Sequence, residues 1–141
     1  MDVRELLARE VTPELYREIR ALWKAHSIAE DKRDIAGLIA TLTPECVYEV
    51  LPDGSRWEGH AGATRFYMEL LGAFPDIHFD LQSIVIGPQG VCEEALVNGT
   101  HKGKWLERTP TGERVTFRVV IFFPWDIKGR KFAGERVFVL P

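Results

Sequence analysis

The sequence predicts an α+β fold in which about three helices, all in the first half of the chain, pack on the concave face of a curved mixed or antiparallel sheet. Three observations carry this reading. Apolar residues recur at helical spacing through 15–42 and again through 60–72. From residue 77 onward they alternate with polar ones. The turn signals Gly87-Pro88-Gln89-Gly90 and Thr109-Pro110-Thr111-Gly112 then join the later segments as hairpins.

Each element has a local cause. Thr12 is an N-cap and Pro13 suits the first helical position, where its missing N–H would be unpaired anyway. Leu15, Ile19, Leu22, Trp23 and His26 follow on one helical face. A short second helix begins near Asp34, carries Ile35, Leu38, Ile39 and Leu42, and is expected to end at Thr43-Pro44, because the residue before proline avoids the α region. Segment 46–51 alternates and reads as a strand, and Pro52-Asp53-Gly54 as a turn. A third helix spans 60–72, with Ala63, Phe66, Tyr67, Leu70 and Leu71 on one stripe and Gly72 and Pro75 at its end. Strands are expected at 77–86, 91–101, 114–123 and 132–139.

Composition bounds what these elements can do. The 141 residues are 45% hydrophobic and 28% charged, near the globular average, which excludes a disordered tail or a disulfide miniprotein. No linker or repeat interrupts them, so a single domain over 1–141 is expected. A net charge of −3, from 18 Lys+Arg against 21 Asp+Glu, argues against a nucleic-acid partner. No apolar run is long enough for a membrane span, and the charged start MDVRELLARE lacks a signal-peptide core. A cytoplasmic protein with Cys46 and Cys92 both free and reduced is the expectation. The chain has no C-x-x-C pair, glycine-rich phosphate loop, G-x-S-x-G or H-E-x-x-H, and its histidines lack metal-ligand spacing. Chemistry without a cofactor or metal is therefore expected.

Several spaced motifs point further. Phe74-Pro75-Asp76, then Gly99-Thr100-His101-Lys102-Gly103, then Pro110-Thr111-Gly112 ending at Val115, together with Glu58-Gly59-His60 and Gly134-Glu135-Arg136-Val137, resemble the SnoaL-like polyketide cyclases of the nuclear transport factor 2-like superfamily. The resemblance covers residues 15–140 and implies a cone-shaped fold with a pocket between the helices and the sheet. It implies an acid/base aspartate on the sheet downstream of the G-T-H segment, with the histidine, here His101, nearby. Strand 114–123 departs from this pattern, since its polar positions are Arg114, Thr116 and Arg118. The related ketosteroid isomerases would place a base carboxylate near Glu49 and a catalytic tyrosine near the helical position of His26. Scytalone dehydratases have histidines in places similar to His78 and His101.

Read on their own chemistry, His101, His26 and Glu135 are the candidate catalytic residues. His101 shares strand parity with Glu93, Ala95, Val97 and Gly99, a small and apolar set that suggests an inward face. Imidazole both accepts and donates a proton near neutral pH. Glu135 shares parity with Val137 and Val139, so it is either a base in an apolar layer or a partner for an arginine such as Arg118. Trp23, Tyr48, Glu49, Phe66, His78 and Phe117 are the candidate pocket residues, although the polar parity of His78 with Asp80 and Gln82 also suits a solvated face. Apolar residues on both parities of 115–123 (Val115, Phe117 and Val119 against Val120 and Phe122), with the family resemblance, predict a homodimer through the outer face of the sheet.

Three functions compete: a cofactor-free enzyme (cyclase, isomerase or dehydratase) acting on a small hydrophobic carbonyl compound, a non-catalytic binder of a small hydrophobic ligand, and a structural module pairing through its sheet face. A buried carboxylate touching His101 or His26 would favour the first. A wholly apolar cavity would favour the second, and a filled cone the third.

Overall fold

Thr12 and Pro13 open the longest helix as their chemistry requires: the Thr12 hydroxyl accepts from the Leu15 N–H at 3.1 Å. In the computed structural model, which describes residues 2–141, this helix is preceded by a short exposed one, α1 (Val3–Ala8), and is itself α2 (Pro13–Asp31). Then come α3 (Ile35–Ile39), β1 (Leu42–Leu51), β2 (Ser55–Glu58) and α4 (Gly59–Ala73). The second half is β3 (His78–Gly87), β4 (Gly90–Thr100), β5 (Arg114–Asp126) and β6 (Lys131–Val139).

All six strands form one curved, unclosed sheet in the order β2-β1-β6-β5-β4-β3. Its pairings are antiparallel except for β1 with β6, which run parallel, so the sheet is mixed. That parallel pairing joins the strand of the first half to the last strand of the chain. The concave face is filled by α2 and α4 residues that the periodicity selected, Ile19 and His26 from α2 and Ala63, Phe66, Tyr67 and Leu70 from α4, together with Ala29, all buried. Against them lie Tyr48, Val50, Ala95, Val97, Val119, Ile121, Phe123 and Val137 from the sheet.

The second helix is shorter than expected. It ends at Ile39, and Leu42 already belongs to β1, paired with Phe132 of β6. Sheet pairing outweighs helical spacing here. Pro44 sits in the stretch where β1 and β6 slip register between Leu42 and Val47, a place that tolerates a missing N–H. The strands β1 and β2 flank the anticipated turn at 52–54, but β2 itself has only four residues and no sequence signal of its own.

Gly134 sets the aim of the last strand. Its φ is +121°, and a Cβ there would lie 1.9 Å from the Val47 carbonyl oxygen, so a side chain is excluded. The β5–β6 register also slips, between Phe122 and Trp125. Before the irregularity Phe132 is buried; after it Glu135 and Val137 are. A bulge of this kind re-aims the side chains that follow it, and here it turns a carboxylate into the core.

Candidate functional site

Three spaces share lining residues. One of about 580 Å³ is a mouth lined by Val50, Phe74, His101, Trp105, Phe117 and Val139, with Asp53, Arg108 and Thr116 as further polar lining. Val50, Trp105, Phe117 and Val139 also line a second, mostly apolar space of about 40 Å³, walled by Phe66, Leu70, Ile77 and Val119. Glu30 and Glu135 line both that space and a third, of about 30 Å³, with Trp23, His26, Ser27 and Glu93. A wide mouth, an apolar waist and a polar floor therefore lie wall to wall.

The floor is built around Glu135, which is 3% exposed. His26 Nε2 lies 3.1 Å from Glu135 Oε2, and the Tyr67 hydroxyl donates to the same oxygen at 2.7 Å. With the Tyr67 proton so used, Tyr48 donates its own to the Tyr67 oxygen at 2.6 Å. Helix α2 supplies His26, α4 supplies Tyr67, and β1 and β6 supply Tyr48 and Glu135, so four elements converge on one carboxylate.

The far side of His26 determines what the pair carries. Its Nδ1 is 3.0 Å from the Thr41 hydroxyl, whose only proton points at the Leu38 carbonyl at 2.7 Å. Nδ1 therefore donates to Thr41. The link between Nε2 and Glu135 then holds one proton, on nitrogen as an ion pair or on oxygen as a neutral pair. Both the His26 and Tyr67 contacts fall on Oε2. Among the described residues no hydrogen bond reaches Glu135 Oε1, which leaves that atom to the spaces Glu135 lines.

Two further carboxyls share the floor. Burial first, and the charge of Glu135 second, push Glu93 up to about 8. Part of Glu30 reaches solvent, yet its carboxyl is desolvated, and burial followed by Glu135 and Glu93 raises it well above the usual carboxylate range. Burial likewise raises both Tyr48 and Tyr67, which keeps the two phenols protonated as donors. Among the described residues no three His, Cys, Asp or Glu side chains are arranged to hold a metal ion.

His101 belongs to the mouth. It stands just past the end of β4, pinned by its N–H to the Glu113 carbonyl (3.0 Å) and by the Gly112 N–H to its own carbonyl (2.8 Å). Its ring stacks on Phe74 at 5.0 Å. It is 7% exposed, and its Nε2 is enclosed without a hydrogen-bond partner.

The candidate residues thus separate into groups. His26 and Glu135 meet at the floor; His101 is not joined to them by any hydrogen bond or ion pair among the described residues. Trp23 lines the floor, Phe66 the waist, and Phe117 both waist and mouth. Tyr48 enters through its hydroxyl. Glu49 and His78 do not reach the interior. On β1 the buried parity is Cys46, Tyr48 and Val50, so Glu49 faces outward toward Arg136 (3.7 Å) and Arg56 (4.0 Å). His78 is exposed, on the polar parity of its strand. Arg118, expected as a partner for Glu135, is instead bound to Glu94 on the outer face. Tyr67, Glu30 and Thr41 were not among the candidates. Tyr67 lies on the apolar stripe of α4, and Glu30 follows His26 by one helical turn, so both positions carried a signal. Cys46 and Cys92 are unpaired. No helix among the described residues is long and apolar enough to cross a membrane.

Comparison with known proteins agrees with this architecture. No curated protein sequence is a significant match. A candidate SnoaL-like polyketide cyclase from Jannaschia sp. CCS1 superposes with a TM-score of 0.78 at 17% identity, over 94% of this chain and 91% of that one. AclR from Streptomyces galilaeus, described as a candidate hydroxylase, gives 0.70 at 23% identity over 89% and 76%. TerC, co-crystallised with polyporic acid, gives 0.70 at 13% over 87% and 92%. At these identities the likeness is one of fold. The family model of the SnoaL-like polyketide cyclases matches residues 14–135, most of the length, and the chain therefore belongs to the SnoaL-like polyketide cyclase family, with a nuclear transport factor 2-like fold.

Proposed function

We propose that this protein is a cofactor-free acid/base enzyme that shifts protons on a small hydrophobic carbonyl compound, in the manner of a cyclase, isomerase or dehydratase. The observation that carries the reading is the buried Glu135 carboxylate held between His26 Nε2 and the Tyr67 hydroxyl at the end of an apolar passage. A buried carboxylate touching His26 favours an enzyme over a plain binder. The TerC co-crystal with polyporic acid supports an organic ligand for a fold of this kind.

In this reading Glu135 Oε1 takes a proton from the carbon next to the carbonyl, and the C–H electron pair moves into the enolate. With the shared proton on His26 Nε2, this leaves a neutral Glu135 carboxyl beside an imidazolium, a pair whose single positive charge offsets the enolate, and Glu135 Oε1 then returns its proton to the product. Tyr67 and Tyr48 hold Oε2 in place. His101 serves at the mouth, as a donor toward substrate. The waist has about 40 Å³ of free space, so substrate entry requires Phe66, Leu70 or Phe117 to move.

The test uses 2-tetralone in D₂O and follows exchange of its α-hydrogens by NMR. The native protein should accelerate exchange above buffer, and Glu135→Gln should slow it by about 10²–10⁴-fold, the usual worth of a placed base. Equal rates for the two proteins would overturn the assignment. Binding without any exchange by the native protein would favour the alternative, a non-catalytic ligand binder of the same fold.

The outer face of the sheet supports a homodimer. Leu96, Val120, Phe122 and Phe138 stand there only half-buried, with Val85 exposed beside them. Light scattering should give twice the 16.1 kDa chain mass, and a monomer at micromolar concentration would refute it.

A further inference from the structure

The mouth offers a recognition site of its own. At about 580 Å³ it is the size of pockets that hold drug-sized ligands, which run from about 300 to 1,000 Å³. Phe74, Trp105 and Phe117 supply flat aromatic walls. Two polar groups among them lack partners. His101 is 93% buried with Nε2 enclosed and unbonded, whereas buried polar atoms are bonded in about 90% of cases. Its ring stacks on Phe74, and two backbone bonds hold the residue at the end of β4. Arg108, fixed by a backbone bridge to Trp105, has no ion pair to its guanidinium among the described residues.

We propose that this cavity binds a flat, hydrophobic ligand bearing a carboxylate or comparable anionic oxygen, received by the exposed Arg108 guanidinium and by His101 Nε2 once the ligand displaces the side chains that enclose that atom. The inference rests on the reading above in that the same mouth admits substrate, and it adds the class: an aromatic carbonyl compound that is also an acid. A neutral imidazole donates one N–H, and a guanidinium offers a forked set of donors that fits a carboxylate. Asp53 is the one side-chain carboxylate lining the cavity and works against an anion, so it tempers affinity.

Isothermal titration with 2-naphthoate and its neutral analogue 2-naphthamide tests the proposal at pH 7 and low salt. The acid should bind the native protein at least about fivefold more tightly than the amide, the low end for a charge-assisted contact. Arg108→Gln, at an exposed position, should erase most of that preference while changing amide binding less than about twofold. His101→Gln should act likewise, and Asp53→Asn should tighten acid binding only. His78→Gln, outside the interior, should leave both affinities unchanged, and because titration reads binding without turnover, a failure of floor chemistry in the exchange assay and a failure of mouth recognition are told apart. Equal binding of acid and amide to the native protein, or a preference that survives in the Arg108→Gln, His101→Gln double variant, would overturn the proposal.

Discussion

The floor and the mouth of this cone each contain a buried histidine, and the two are built on opposite principles. At the floor, His26 is bonded on both ring nitrogens, and its carboxylate partner is bonded in turn by a tyrosine. At the mouth, His101 is held by stacking and by its backbone alone, and its Nε2 is left without a partner. A histidine bonded on both nitrogens is fixed in place together with its proton. An unsaturated donor waits for something to bind. The difference teaches that burial of a histidine does not name its role; the state of its second nitrogen does.

Removing the centre of the floor should have the largest effect on stability. Glu135→Ala strands His26 and Tyr67 in a buried site, and breaking such a pair costs about 3–5 kcal/mol, readable from urea unfolding. A loss below about 1 kcal/mol would mean that solvent reaches the floor and that the two ends of the cone differ less than their geometry indicates.

The next test concerns the neighbouring carboxyl. Glu93 is raised to about 8 from an ordinary 4.5. Below 4.5 both folded and unfolded chains hold this proton and it has no effect. Between about 4.5 and 8 the unfolded chain releases it first, so stability falls as pH rises, and above about 8 the full penalty is present. Glu93→Gln should remove that slope and make the protein more stable at pH 9 by about 2–4 kcal/mol, with little change at pH 4. A native protein whose unfolding midpoint is flat from pH 5 to 8 would contradict this account of the floor.

Tyr67→Phe sharpens the comparison. It takes one donor from Glu135 and the acceptor of the Tyr48 hydroxyl, without altering shape, and should cost about 1–3 kcal/mol in denaturant unfolding. His101→Ala should cost least, about 1–2 kcal/mol, because it forfeits packing against Phe74 and no hydrogen bond. Should His101→Ala prove as damaging as Glu135→Ala, the contrast between the bonded His26 and the unbonded His101 would fail.

Much of this was legible in the chain because it follows from local geometry. Helical spacing selected Ile19, His26, Ala63, Phe66 and Leu70, and all are buried. Strand alternation selected Glu93, Ala95 and Val97 on β4 and placed Glu135 with Val137, and these face inward. The spaced motifs from Phe74 to Val115 sufficed to reach the family. Parity and helical phase depend on the backbone within a few residues, so one sequence carries them without any knowledge of neighbours.

Partner identity is another matter, since it depends on register and on which strands become adjacent. The sequence offered Arg118 to Glu135, but Arg118 points outward and binds Glu94, while Glu135 meets His26 and Tyr67 from two helices. Glu49 shows the same limit: its alternation is plain, yet only the pairing of β1 with β2 and β6 determines that Tyr48, and not Glu49, looks inward. The parallel β1–β6 pairing and the bulge at Gly134, where the Val47 carbonyl leaves no room for a side chain, are contacts between distant segments. A one-residue slip exchanges the two faces of a strand. The sequence by itself therefore determined which residues are able to face a pocket, and the tertiary structure alone decided which of them meet there, because hydrogen-bond partners are chosen by register across strands and not by spacing along one.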